Sequence, residues 1–304
     1  MAGYLTERLG LGPDWTVLLS VRGDRIRNQL DDHLIFGGLD LSGERTFTRA
    51  TGRVGVNWSK RKEFGLYASW GQGFLPPATE ELYANPAALG GFNTSLVPAT
   101  SWGAEIGARG SVGNHLFYDT TVFRLDTKND FERYRIAGRP LETFYGNAGQ
   151  SRRYGLESSV KWLPTHRLSF TGAYTYSHFI YSRYVSVTYT GVLNGNRLPN
   201  SPAHQFFADA NFDFPRQFSV GVSTIAYSHA YVDPTNATWI DAYGLFDARL
   251  SKSWQHRGIY GTIFVYGKNL TATKYIAFTE PDPDGNSYQP GATREVFGGL
   301  QLRF

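Results

Sequence analysis

The sequence predicts an all-β protein, a transmembrane antiparallel up-and-down β-barrel, on three observations. Apolar and polar residues alternate over segments of roughly ten residues. The connections between those segments are short and long by turns. No amphipathic helical period competes with the alternation, and no apolar run approaches the roughly 18 residues that a membrane-spanning helix requires.

Composition fits that fold and fits a soluble α-rich enzyme badly. The 304 residues include 34 Gly, 19 Tyr, 21 Phe and 7 Trp but a single Met. Mean hydropathy is only −0.34 although 15% of the residues are aromatic. A barrel strand accounts for both values, because it turns one flank to hydrocarbon and the other to water and so looks polar on average.

The alternation can be followed along the chain. Trp15, Val17, Leu19 and Val21 lie on one face of a strand whose other face carries Thr16, Ser20, Arg22 and Asp24. Ala50, Val54, Val56 and Trp58 oppose Arg49, Thr51, Arg53 and Asn57, and Ala104, Ile106 and Ala108 oppose Glu105 and Arg109. Further on, Leu156, Val160 and Trp162 oppose Glu157 and Lys161. Phe206, Ala208, Ala210 and Phe212 oppose Asp209, Asn211 and Asp213, and Phe246, Ala248 and Leu250 oppose Asp247 and Arg249. Residues 115–126 are less regular, with bulky side chains in both registers.

Short turns rich in Gly, Pro and Asn are predicted at 10–13, 60–63, 113–114, 164–166, 215–217 and 255–258. Long loops are predicted at 27–45, 75–100, 128–143, 182–202, 231–239 and 272–293. Outer-membrane barrels show this asymmetry, with short periplasmic turns and long extracellular loops. Counting between connections gives roughly 13 strands, an odd number that fits part of an even-stranded barrel. Trp15, Trp58 and Trp162 sit beside short turns, where amphipathic rings mark the periplasmic interface; Trp flanking the strands of a soluble sandwich is the alternative. The last segment places Val296, Gly298, Leu300, Leu302 and Phe304 on one face against Gln301 and Arg303. An alternating strand ending on an aromatic residue resembles the signal read by the outer-membrane assembly machinery, with Leu300, Leu302 and Phe304 as its apolar positions.

Several function classes are disfavoured. The formal net charge is +4, but Lys and Arg are scattered and form no basic tract for nucleic acid. Cysteine is absent, which fits transit through an oxidising periplasm and is weak evidence by itself. Met1-Ala2-Gly3-Tyr4-Leu5-Thr6 carries no export signal, so an exported barrel is expected to have a front end outside this sequence. His33, His115, His166, His178, His204, His229 and His256 are dispersed, and no Ser, His and Asp set or metal-ligand spacing stands out. The acidic stretch Glu280-Pro281-Asp282-Pro283-Asp284-Gly285-Asn286 lacks the closing glutamate of a calcium loop and reads as a solvated turn. The chain is therefore expected not to be an enzyme and to hold no cofactor or metal.

A family resemblance joins these features. Tyr67-Ala68-Ser69-Trp70-Gly71-Gln72-Gly73-Phe74-Leu75-Pro76-Pro77 resembles a strand-to-loop junction of TonB-dependent receptors, and Val97-Pro98-Ala99-Thr100-Ser101-Trp102-Gly103-Ala104-Glu105-Ile106-Gly107 the start of their next strand. Asn147-Ala148-Gly149-Gln150-Ser151-Arg152-Arg153-Tyr154-Gly155-Leu156-Glu157 is similar to the family's most recognisable internal stretch. Gly195-Asn196-Arg197-Leu198-Pro199-Asn200-Ser201-Pro202 and Lys268-Asn269-Leu270 with Lys274-Tyr275 complete a set whose order, more than any member, carries the likeness.

The resemblance implies that residues 1–304 are the C-terminal portion of a barrel of about 22 strands, with the plug domain and first strands absent from the sequence. It implies an outer-membrane receptor for active uptake of a metal chelate, a ferric siderophore above all. Implied partners are the TonB–ExbB–ExbD complex, reached through the missing N-terminal part, the outer-membrane assembly machinery, the lipid bilayer with its lipopolysaccharide, and the small-molecule chelate. Two competing readings stay open: a passive porin-like channel, and a soluble β-rich binding module.

Candidate ligand contacts are Tyr83, Phe92, Arg133, Tyr134, Arg135 and Arg139, which combine aromatic faces with fixed positive charge in predicted loops. Ordinary packing between loops is their alternative reading. Arg152, Arg153, Arg197, Asp247 and Arg249 are expected to form lumen-facing ion-pair networks, with a direct substrate role as the alternative.

Overall fold

Period-two alternation between turn-forming residues yields strands β1 (Ala2–Leu11), β2 (Trp15–Leu30), β3 (Gly43–Arg61) and β4 (Phe64–Leu75), then a one-turn helix α1 (Thr79–Tyr83). There follow β5 (Ala99–Val112), β6 (Leu116–Ile136), β7 (Arg139–Thr165), β8 (Leu168–Tyr184), β9 (His204–Phe214) and β10 (Phe218–Tyr227). The chain continues through β11 (Ala230–Tyr231), β12 (Trp239–Ile240), β13 (Tyr243–His256), β14 (Ile259–Lys268), β15 (Ile276–Glu280), β16 (Ser287–Pro290) and β17 (Glu295–Arg303). This computed structural model describes residues 1–33, 38, 40–61, 63–87, 90–184, 192–281 and 285–303. Phe304, the last position of the expected assembly signal, lies outside the described residues.

Thirteen strands form one sheet in the order β1-β2-β3-β4-β5-β6-β7-β8-β9-β10-β13-β14-β17, so each expected membrane strand lies beside its neighbour in sequence. All pairings are antiparallel, the outermost two being β1 with β2 and β14 with β17. Among the described residues β1 and β17 each have one sheet neighbour, so the sheet does not close on itself. β11–β12 and β15–β16 are separate two-stranded hairpins inside long connections.

The short turns lie where they were predicted, between β1 and β2, β3 and β4, β5 and β6, β7 and β8, β9 and β10, and β13 and β14. Between β13 and β14 only Arg257 and Gly258 intervene, at φ of 49° and 84°. Positive φ at both central residues is the turn whose twist suits two antiparallel strands, and glycine enters that region without a Cβ clash.

One predicted long loop is instead β-structure. Residues 128–143 fall almost wholly within β6 and β7, which run for 21 and 27 residues and turn at Ala137 and Gly138. Asn129, at φ 58°, sits where the β6–β7 register shifts between Lys128 and Asp130. The bulge redirects the hairpin without ending it. Charged residues gave the stretch a loop-like composition, while Phe131, Tyr134, Ile136, Phe144 and Tyr145 supply strand-forming bulk.

The two faces of the sheet have opposite chemistry. Trp15 pairs with Trp58, Val17 with Val56 and Leu19 with Val54 on one face. Trp162 pairs with Phe170 on the same face at the same end, their rings stacked at 5.3 Å. Ile106, Val122, Leu300 and Leu302 on that face are all exposed, as an outer wall wetted by hydrocarbon requires. The other face is polar and lines an open cleft of about 860 Å³ whose wall includes Arg53, Asn57, Tyr67, Glu105, Arg109 and Asp119.

Fully buried side chains gather at the long-loop end. There the β4–β5 connection packs Leu82, Phe92 and Leu96 against Phe47, with Leu30, Phe74, Tyr83, Phe131 and Tyr145 around them. Glu81 holds the start of α1 by accepting a 2.7 Å hydrogen bond from the Ala78 amide. A smaller cluster joins Ala148, Tyr184 and Leu193.

Candidate functional site

On the polar face, glycines let long side chains reach two strands away. Tyr67 on β4 lies flat over Gly107 of β5, where an added Cβ would meet the ring at 2.3 Å. Its hydroxyl thereby reaches β6, donating to Asp119 at 2.8 Å and contacting Thr121. Arg249 of β13 crosses Gly221 of β10 in the same way and grips Asp209 of β9 with bonds of 2.7 and 3.1 Å. Asp247 accepts from the Tyr266 hydroxyl at 2.9 Å and from the Asn269 amide at 2.8 Å. Each link ties three strands or ties a strand to its loop.

The expected lumen group divides. Arg153, Asp247 and Arg249 share the polar face; Arg153 donates to Thr127 at 3.1 Å and lies 3.6 Å from Asp130. Arg152, its neighbour on an unbroken stretch of strand, must point the other way. Its cross-strand partners are Asp126 and Ile180, and its Nε donates to Asp126 at 3.0 Å on the apolar-face register. Arg197 also leaves the group: it bridges to Ile180, and its guanidinium contacts His178 Nδ1 at 2.8 Å and donates to Ser177 O at 2.9 Å. His178 belongs to the apolar-face register and stacks on Tyr154 at 4.7 Å. Alternation separates Arg152 from Arg153, whereas the path of the β8–β9 connection decides where Arg197 lies.

The six candidate ligand contacts occupy two places at the long-loop end. Phe92, only 8% exposed, and Tyr83 belong to the buried cluster, their rings 5.2 Å apart, and the Tyr83 hydroxyl donates to Gln29 O at 3.1 Å. Phe92 is therefore a core side chain rather than an accessible one. Arg133, Tyr134 and Arg135 lie on β6 and Arg139 on β7, all in the extended hairpin rather than in a loop. Tyr134 is buried against Phe144, with ring centroids 6.0 Å apart. Arg139 covers the Phe144 ring at 4.4 Å and donates from Nε to Glu142 at 2.7 Å. Arg133 reaches the hairpin of β15 and β16, donating to Glu280 at 2.8 Å and to Pro281 O at 3.2 Å. The Glu142 carboxyl is held below its ordinary pKa by its bond with Arg139.

Composition did not mark the aromatic ladder on the polar face near the same end. Tyr227 and Tyr243 are cross-strand partners with rings 5.2 Å apart, and Tyr243 stacks on Tyr275 at 4.6 Å. Strand parity places Tyr227 and Tyr243 together, but Tyr275 arrives from a loop. Among the described residues, no group of three His, Asp or Glu side chains is arranged to hold a metal ion.

A family model described as TonB dependent receptor-like, beta-barrel matches residues 1–270. The chain is 22% identical over 253 residues to a protein described as the probable TonB-dependent siderophore receptor PiuA of Acinetobacter baumannii, covering 81% of this chain and 33% of that protein. It is 26% identical over 208 residues to the metal-pseudopaline receptor CntO of Pseudomonas aeruginosa, covering 67% of this chain and 27% of that one. The crystal structure of the siderophore receptor PiuA from Acinetobacter baumannii superposes with a TM-score of 0.79 at 18% identity, over 99% of this chain and 43% of the other. The chain thus spans about a third of the length of the curated relatives it matches.

Proposed function

The chain belongs to the TonB-dependent receptor β-barrel family of the outer membrane, and from that premise we propose that it forms the C-terminal wall of a receptor for active uptake of a ferric siderophore, energised through the TonB–ExbB–ExbD complex. The proposal assigns residues 1–304 to the wall and leaves the plug to the rest of such a receptor. In it the apolar face meets lipid, the polar face meets the lumen, and the long-loop end faces the outside.

The observation that carries the ligand class is the extended β6–β7 hairpin. It brings Arg133 and Arg139, beside the rings of Tyr145 and Phe144, to the outer end of the wall. Guanidinium groups beside aromatic faces suit an anionic chelate with aromatic donors. The carboxylates of Glu280 and Glu142 hold these two arginines in place of a ligand, and a chelate oxygen would exchange with Glu280 at Arg133. Relatives described as siderophore and metal receptors support the same reading.

Growth of a strain carrying the natural gene on ferric chelates under iron limitation tests the proposal. Growth that depends on both the gene and one chelate is expected. Indifference to every ferric chelate would remove the assignment.

A further inference from the structure

Cations that are scattered in sequence are gathered by the up-and-down topology at one end of the wall. Residues 161–169, 211–219, 251–260 and 301–303 form the short-turn end of the sheet from β7 to β17. They hold Lys161, Arg167, Arg216, Lys252, Arg257 and Arg303 against one carboxylate, Asp213. Asp213 accepts from the Asn211 side-chain amide at 3.0 Å. The ion pairs among the described residues belong to other arginines, and none of these six cations makes one. Six cations less one carboxylate leave this rim five positive charges in excess.

Most of this charge is aimed away from hydrocarbon. Outward positions at this level are filled by rings: Trp162 stacks on Phe170, and Phe214 meets Phe212 and Phe218 edge-on at 4.5 and 6.1 Å. Lys161 and Arg303 have the opposite strand parity to Trp162 and Leu302 and so lie on the polar face. Arg216 and Arg257 stand in the turns themselves, at φ of 65° and 49°. Lys252 has the outward register, but its ammonium donates back to Arg216 O. At the β7–β8 turn, Lys161 and Arg167 line an open cleft of about 460 Å³ together with His115, His166 and Asp213.

The spacing defines what fits. Successive turns lie two strand spacings apart, about 10 Å, and the β7–β8 turn is about 25 Å from β17 along the rim. An extended chain covers about 10 Å in about three residues and about 25 Å in about eight. Carboxylates spaced at that interval would meet one turn after another.

We propose that this rim is a docking surface for an extended acidic segment of a periplasmic protein, with carboxylates about three residues apart. The inference rests on the family's placement of the short turns in the periplasm, not on the chelate. It concerns the wall itself, apart from the N-terminal route to the TonB–ExbB–ExbD complex. Charge complementarity selects the occupant, and the rings that fill the outward positions at this level favour a protein over phospholipid head groups. Guanidinium forks suit carboxylates, and exposed pairs of this kind steer approach and fix register.

The test uses the natural full-length receptor in neutral detergent, titrated with a fluorescent peptide of repeated Glu-Ser-Gly triplets and with its Gln-Ser-Gly counterpart, read by anisotropy. Phosphatidylglycerol in mixed micelles serves as competitor. One variant combines Arg167→Gln, Arg216→Gln and Arg257→Gln; glutamine suits these turns, since Gln217 itself stands at φ 61°. A second, Lys161→Gln with Arg167→Gln, leaves the β9–β10 and β13–β14 turns intact and keeps the test decisive if the first misfolds. The first should bind the acidic peptide about tenfold or more weakly than wild type, and the second about threefold. The glutamine peptide should fail to bind, and phosphatidylglycerol should fail to compete. No saturable binding of the acidic peptide would overturn the proposal, as would equal binding by the second variant and wild type, equal binding of the glutamine peptide, or displacement by phosphatidylglycerol. Chelate-dependent growth reads the receptor assignment separately, so either idea can fail alone.

Discussion

Arg249 and Asp209 form a two-pronged ion pair across an intervening strand, with Gly221 between them carrying no side chain to block the way. An added Cβ at Gly221 would sit 2.4 Å from Arg249 Nε. A flexible guanidinium can withdraw, so Gly221→Ala is expected to release the pair at a cost of about 1 kcal/mol or less, since the site is partly open to water. Gly155 differs, because a Cβ there would meet the backbone carbonyl of Tyr176 at 2.0 Å. Gly155→Ala should cost about 1–3 kcal/mol. Urea unfolding of the full receptor in lipid vesicles measures both, and a larger loss at Gly221 would contradict this account.

Leu82 is fully buried in the cluster beneath the β4–β5 connection. Leu82→Ala should destabilise that loop by about 2–5 kcal/mol through lost transfer energy and a residual cavity. The damage is expected to be local. Hydrogen exchange should rise sharply across residues 76–98 while the sheet amides keep their protection.

Acid should open the β11–β12 hairpin before the wall. Burial pushes the Asp233 carboxyl up, but donors from Thr235, Ala237 and Thr238 outweigh it and hold the group below its ordinary pKa. A depressed folded value means that this stabilisation is complete above the ordinary carboxylate pKa, near 4, and is lost as pH falls through the lower folded value. Asp233→Asn should abolish the acid dependence at a constant cost of about 1–2 kcal/mol. Amide exchange across residues 230–240, compared between pH 3 and pH 6, provides the measurement.

The Arg133–Glu280 bond joins two hairpins that are 147 residues apart in sequence. Arg133→Glu should loosen them by about 0.2–1 kcal/mol, because the pair is half exposed. Restoring attraction with Glu280→Arg in the same chain should bring them back. Spin-label distances between β7 and β16 would show the separation and its rescue; no recovery in the double variant would mean that the pair does not join them.

If Arg133 also meets the chelate, Arg133→Ala should weaken ferric-chelate binding about tenfold, the value of one charge-assisted hydrogen bond. Glu280→Ala should leave binding unchanged or improve it. Isothermal titration of the full receptor distinguishes the two, and equal losses would indicate a purely structural pair.

The strands and short turns were legible because each rests on local physics. Trp15 to Asp24 displays its two faces by parity alone, and the turn at 255–258 by its glycine. Long-range placement was less legible. Residues 128–143 resembled a loop because charges outnumber apolar residues in the hairpin, and a bulge at Asn129 breaks the alternation that would have exposed it. Arg152 and Arg153 are separated by parity alone, which forbids adjacent strand residues a common face. Arg197 and Phe92 were beyond reach, since what a connection folds onto is not written in its own composition.

On the apolar face of the described sheet few side chains meet another protein layer, and the tightly enclosed side chains sit beneath the outer connections. That flank is held chiefly by main-chain ladders and by hydrocarbon, neither of which reads side-chain shape. Leu, Val, Phe and Ala should be interchangeable over most of its hydrocarbon-facing positions. Sequence can then drift far on that flank while the outline persists, and among the described residues the knot of side chains around Leu82 should tolerate changes of shape least.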